Sequence, residues 1–133
     1  MGTGATVTLT EADFEQTVTT NDIVLVDFWA EWCGPCRRFG PVFEAVAGAN
    51  PDVVFGKVDT EAERGLSAAA GITSIPTLMA FRDGILVFAQ PGALPQPALE
   101  DLLRQVRALD MDQVRESVDD SVHDRANGSA TGS

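Results

Sequence analysis

The run Ile23 to Ala30 (IVLVDFWA) is apolar apart from one aspartate, and it ends just before Cys33-Gly-Pro-Cys36. A continuous stretch rich in β-branched and aromatic residues reads as a central strand covered on both faces. Directly after it, Cys36, Phe39, Phe43, Val46 and Ala47 recur at steps of three and four, which marks the buried stripe of a helix from about Gly34 to Ala49. A cysteine pair at a strand-to-helix joint is the setting in which C-x-x-C carries redox meaning.

The rest of the chain repeats this alternation. Thr6 to Thr8 fits a short edge strand, and Thr10-Glu-Ala-Asp13 resembles a capping box opening a helix to about Thr19. Val53 to Asp59 reads as a second strand. Thr60-Glu-Ala-Glu63 has the full capping-box pattern, for a helix ending at Gly71. Thr77 to Arg82 and Ile85 to Ala89 flank Asp83-Gly84, a hairpin signal. A last helix starts near Pro97, with Leu99, Leu102, Leu103, Val106 and Leu109 as its inner face. The order β-α-β-α-β-α-β-β-α predicts an α/β fold: a mixed central β-sheet flanked by helices on both faces.

Two parts are expected, a folded domain over residues 1–109 and an acidic C-terminal extension over residues 110–133. Met111, Val114, Val118 and Val122 keep near-helical spacing, so the extension either prolongs the final helix or docks weakly on the domain. Beyond His123 the composition reads as a disordered end.

Charge and composition narrow the function. A net charge of -11 from 20 acidic and 9 basic residues lacks the basic footprint of a nucleic-acid binder and disfavours an anionic membrane surface. Met1 to Thr10 has neither the basic nor the apolar region of a signal peptide, and every apolar stretch is broken too early to span a bilayer. The expected setting is cytoplasmic and reducing, where a cysteine pair is catalytic or metal-binding rather than a structural staple. Zinc normally needs four ligands, and the chain has two cysteines and the single histidine His123. A four-residue disulfide loop would constrain little in the unfolded chain.

The helix start assigns the sulfurs different tasks. Its free amide hydrogens and partial positive charge favour a thiolate at Cys33, and Pro35 fits the first turn. Cys36 shares the stripe of Phe39 and Phe43 and should point inward, leaving Cys33 at the exposed tip. Cys33 then attacks a substrate disulfide and Cys36 resolves the mixed disulfide. Asp27 interrupts the buried strand. It is either satisfied by nearby backbone groups or acts as proton acceptor for Cys36. Lys57, the only lysine, also lies in a strand. It is either a snorkelling surface residue or, across adjacent parallel strands, the partner that tunes Asp27. Pro76 would by base rate follow a trans bond, since about 5–6% of such bonds are cis.

Trp32-Cys33-Gly34-Pro35-Cys36 resembles the active-site sequence of the thioredoxin family. So do Val26-Asp27-Phe28-Trp29-Ala30, Pro41, Lys57-Val58-Asp59, Ile75-Pro76-Thr77, Phe81-Arg82-Asp83-Gly84 and Gly92-Ala93, in order and spacing across about residues 5 to 109. The resemblance implies a thioredoxin fold and a protein-disulfide reductase. It makes Cys33 the nucleophile, Cys36 the resolving thiol, Asp27 the proton-transfer carboxylate and Lys57 its partner. Pro76 becomes a cis-proline facing the sulfurs, which frees the Ile75 backbone to pair with an extended substrate. Trp32, Gly34, Pro35, Ile75, Pro76, Gly92 and Ala93 would contact protein substrates, Trp29 would be a buried tryptophan near the site, and Pro41 would kink its helix.

The same resemblance implies no bound cofactor, electrons from NADPH through thioredoxin reductase, and a chain that works as a monomer. Arg37 stands where the family often has lysine, and Pro91 before Gly92 cannot donate a hydrogen bond to the groove rim. The competing class is a thioredoxin-like binding module or assembly subunit that needs the groove but not turnover.

Overall fold

The structure, a computed structural model, describes residues 5–118. Nine elements follow one another up to residue 108: β1 (Thr6–Thr8), α1 (Phe14–Thr20), β2 (Ile23–Trp29), α2 (Gly34–Ala49), β3 (Val54–Asp59), α3 (Arg64–Ala69), β4 (Thr77–Arg82), β5 (Ile85–Pro91) and α4 (Gln96–Ala108). The sheet order is β1-β3-β2-β4-β5; β1–β3 and β2–β3 are parallel, whereas β2–β4 and β4–β5 are antiparallel. This is the mixed sheet the element order predicts.

Strand alternation splits the core in two. Ile23 and Leu25 of β2 pack with Phe55, Leu78 and Ala80 against Phe39, Phe43 and Val46 of α2 and Leu99, Leu103 and Val106 of α4. Val24, Val26 and Phe28 face the other way, into a cluster with Val18, Val58 and Met79 on the side of α1 and α3. β2 is buried along nearly its whole length, which is why its sequence is almost continuously apolar. The same alternation puts Asp27 on the face of Leu25, toward α2. Phe55 lies opposite Leu25 and Lys57 opposite Asp27, so Lys57 shares that face.

The Asp83-Gly84 turn has φ of 53° and 80°, the left-handed pair a two-residue hairpin loop requires. Pro91 ends the edge strand β5, where its missing N–H costs no ladder bond. α2 runs through Pro41 without interruption.

Three expectations about helix ends are corrected. At Thr10 only the reciprocal half of the box forms: the Thr10 N–H donates to Asp13 Oδ1 at 2.7 Å, and α1 begins at Phe14. The box at Thr60 does not form, because both side chains have tertiary partners. Thr60 donates its hydroxyl to the Trp29 carbonyl (3.2 Å), and Glu63 accepts from the Glu11 N–H (2.9 Å). Asp59 holds the turn instead, accepting from the N–H groups of Glu61 and Ala62 at 2.9 and 3.3 Å. Leu109, assigned to the inner face of the last helix, lies past its end with extended backbone (φ -60°, ψ 138°) and is half-buried.

After that break the chain is helical again over residues 111–118. Asp110 caps this segment, accepting from the N–H groups of Asp112 and Gln113 at 3.0 and 3.3 Å. Met111 is 8% exposed, and Arg115 donates to Asp83 at 2.8 Å, tying the segment to the hairpin turn. The expectation for His123 and the residues after it lies outside the described residues.

Candidate active site

Cys33 is the residue before α2 and Cys36 sits in the helix's first turn. The two are joined as a disulfide, with Cα atoms 5.2 Å apart. Two backbone groups flank the Cys33 sulfur: the Cys36 N–H donates to it at 3.2 Å, and the Ile75 carbonyl oxygen lies 3.7 Å away. In the disulfide Sγ has no hydrogen to donate to that carbonyl, whereas a reduced thiol does. A thiolate there would accept the Cys36 N–H, one of the orphan donors of a helix start.

The two cysteines do not differ in exposure as helix phase suggests. Cys33 is 4% exposed and Cys36 5%. Cys33 is covered because it packs with Ala30, Trp29 and Ile75, the last of these brought in by a distant loop. What separates the two is their surroundings. Cys33 is flanked by exposed Trp32, Gly34 and Pro35, with Trp32 at 66%. Cys36 forms part of a cleft of about 370 Å³, whose walls include Trp29, Gly40 and Lys57.

Asp27 is fully buried (0% exposed), and neither carboxylate oxygen has a hydrogen-bond partner among the described residues. Burial pushes its pKa up to about 7, against an opposing pull from the Lys57 charge. Such a carboxyl changes protonation near neutrality, where a proton acceptor is most useful. The Lys57 ammonium lies 5.0 Å from the centre of the Trp29 ring. Trp29 itself is half-buried rather than buried, although its indole nitrogen is enclosed and unpartnered among the described residues.

The Ile75-Pro76 bond is cis, as the family resemblance implies and against the base rate. Gly92 donates its N–H to the Pro76 carbonyl at 2.8 Å, and its φ of 108° lies where only glycine sits easily. Gly92 and Ala93 are exposed. With Ile75, Trp32 walls a groove of about 500 Å³ that runs to α3, past Thr60, Arg64, Ser67 and Thr73. Gly92 and Ala93 are not among its walls. These α3-side residues were missed because nothing in their sequence pattern marks them. Among the described residues no His, Cys, Asp and Glu cluster could hold a metal ion.

The thioredoxin family model matches residues 5–105, nearly all of the folded part. The chain belongs to the thioredoxin family. It is 64% identical over 114 residues to a protein named as a thioredoxin 2 in Streptomyces coelicolor, spanning 86% of this chain and 85% of that one. It is 42% identical to a thioredoxin of Mycoplasmoides gallisepticum, over 71% of this chain and 94% of that one. Among solved structures, a mutant thioredoxin from Halobacterium salinarum superposes with a TM-score of 0.72 at 34% identity, covering 78% of this chain and 91% of that chain. Oxidized mitochondrial thioredoxin 3 from Saccharomyces cerevisiae gives 0.70 at 31%, covering 76% and 95%.

With the Cys33–Cys36 pair at disulfide distance, the chain is a thiol-disulfide oxidoreductase of the thioredoxin type, a protein-disulfide reductase.

Proposed function

We propose that Cys33 attacks and Cys36 resolves, with Asp27 moving the proton between them and solvent. The cycle starts from the dithiol. The Cys33 thiolate attacks one sulfur of a substrate disulfide; a mixed disulfide forms and the first substrate sulfur leaves as a thiolate that takes up a proton. Cys36 gives its proton to the Asp27 carboxylate and attacks Cys33 Sγ, expelling the second substrate sulfur. Two electrons and two protons pass to the substrate, and Cys33–Cys36 is left oxidised. The observation that carries the assignment is the Cys36 N–H aimed at Cys33 Sγ, which favours the thiolate there rather than at Cys36.

Lys57 tunes Asp27 from the neighbouring strand, a role supported by their shared register. Trp32, Gly34, Pro35, Ile75, Pro76, Gly92 and Ala93 form the substrate contact. The Ile75 backbone would pair with an extended substrate segment beside Cys33. Reducing equivalents come from NADPH through a thioredoxin reductase, the chain itself holding no cofactor, and it acts as a monomer in the cytoplasm. Residues 1–109 are the working domain and residues 110–133 an appendage. The test is NADPH oxidation coupled to insulin reduction with a bacterial thioredoxin reductase; the expected result is turnover that Cys33→Ser abolishes. Turnover by Cys33→Ser at the wild-type rate would refute the assignment.

A further inference from the structure

The cations of this acidic chain are distributed unevenly. Among the described residues, Arg64, Arg82, Arg104, Arg107 and Arg115 each pair with a carboxylate within 4.0 Å. Arg37 and Arg38 have no such pair, and both are exposed on the first turns of α2, directly after Cys36. Arg37 is aimed by a hydrogen bond from Nε to the Glu31 carbonyl at 2.9 Å, which leaves its terminal amino groups for another acceptor. Arg38 runs back along the first turn of the helix: its Nη1 lies 3.9 Å from where a side chain on Gly34, between the two cysteines, would begin. Two arginines without an ion-pair partner within 4.0 Å therefore stand at the exposed start of α2, next to Cys36 in sequence, in a chain whose net charge is -11.

We infer that Arg37 and Arg38 select protein substrates carrying carboxylates beside the disulfide to be reduced. The inference rests on the reductase reading above and names the substrate class. An acidic body repels acidic proteins at long range, so arginines free of close ion pairs, although Glu31 and Glu44 line the cleft beside Arg37, direct their approach toward the sulfurs. Guanidinium groups also suit carboxylates geometrically, because their fork of donors matches both oxygens. The occupant is therefore an acidic segment next to a substrate cysteine. A basic segment would face both arginines and gain only from the distant acidic surface, which salt screens.

The test uses three disulfide-bonded peptides of equal length whose cysteines are flanked by Glu, by Ser or by Lys. Second-order rates of reduction by the dithiol protein are measured at low and high ionic strength. The expected Glu-to-Lys rate ratio for the wild type is about tenfold or more at 0.1 M salt, where a Debye length of ~10 Å screens the distant acidic surface but not the adjacent arginines, collapsing toward one at 1 M. The double variant Arg37→Gln with Arg38→Gln should lose most of that ratio at low salt, while Arg104→Gln, on the exposed face of α4, should keep it. Equal rates for Glu and Lys peptides, or a ratio that survives the double variant, would overturn the proposal. Failure of the wild type on the Ser peptide as well would instead count against the reductase reading.

Discussion

Asp27 and Lys57 stand opposite one another across the parallel strands β2 and β3, both on the face that carries α2. Strand register makes the pairing, and burial gives it consequence. The carboxylate is enclosed without a hydrogen-bond partner among the described residues, and a single cation on the next strand is what lowers the cost of its charge.

The first prediction concerns stability. The Asp27 pKa of about 7 in the fold lies above its ordinary value of 3.8. Below pH 4 the group is neutral in both states and costs nothing. Between pH 4 and pH 7 the unfolded chain ionises first, so the folded state loses about 4 kcal/mol over that window. Asp27→Asn mimics the protonated side chain and removes the titration. Denaturant unfolding should show the variant gaining on the wild type by about that amount at pH 8, with the gain vanishing at pH 4. A constant difference across this range would contradict the burial argument.

The proposed mechanism gives the same group a hold on rate. In the role of proton acceptor proposed for it Asp27 must be ionised, so resolution of the mixed disulfide should slow as pH falls through about 7. Asp27→Asn should slow that step on the order of 10²-fold and flatten this part of the profile. Single-turnover quench, following loss of the mixed disulfide, reads both effects.

Trp32 offers a separation of binding from folding. At 66% exposed it contributes little to the core, yet it walls the groove beside Ile75. Trp32→Ala should change stability by less than about 0.5 kcal/mol. It should raise KM for protein disulfides severalfold, while reaction with a small disulfide such as cystine changes less.

The segment over residues 111–118 should matter for stability only. Arg115 reaches Asp83, just past the β4 residue Arg82 that pairs with Ile23 at the start of β2, whereas the cysteines follow that strand's other end. Truncation after Leu109 gives up the burial of Met111 and one partly exposed ion pair, a loss of about 1–3 kcal/mol. The specific activity of the folded fraction should be unchanged. Thermal melts and insulin reduction on the same samples decide this.

What the sequence disclosed follows a physical division. Elements with a strong period or a special backbone residue were legible: β2 from its unbroken apolar run, α2 from Cys36 to Ala47, and the hairpin from Asp83-Gly84. Features set by distant partners were not. The pattern at Thr60 to Glu63 is a capping box on paper, but Trp29 and Glu11 take its side chains. Helix phase placed Cys33 at an exposed tip because it cannot see Ile75, 42 residues away, packed on the sulfur. The α3 side of the groove was hidden for the same reason, being assembled from α3 and the loops on either side of it, with no shared period. The break at Leu109 escaped notice because Met111, Val114 and Val118 keep a helical spacing that a second helix satisfies as well as one long helix.

The central claim is that Cys33 attacks and Cys36 resolves, although both residues are buried to the same degree in the disulfide. Reduced Cys36→Ser and Cys33→Ser proteins should each be mixed with an oxidised protein substrate and their intact masses recorded. The account predicts a stable mixed disulfide on Cys33 in the Cys36→Ser protein and little or none on Cys36 in the Cys33→Ser protein. Equal trapping by the two, or trapping by Cys36 alone, would contradict it.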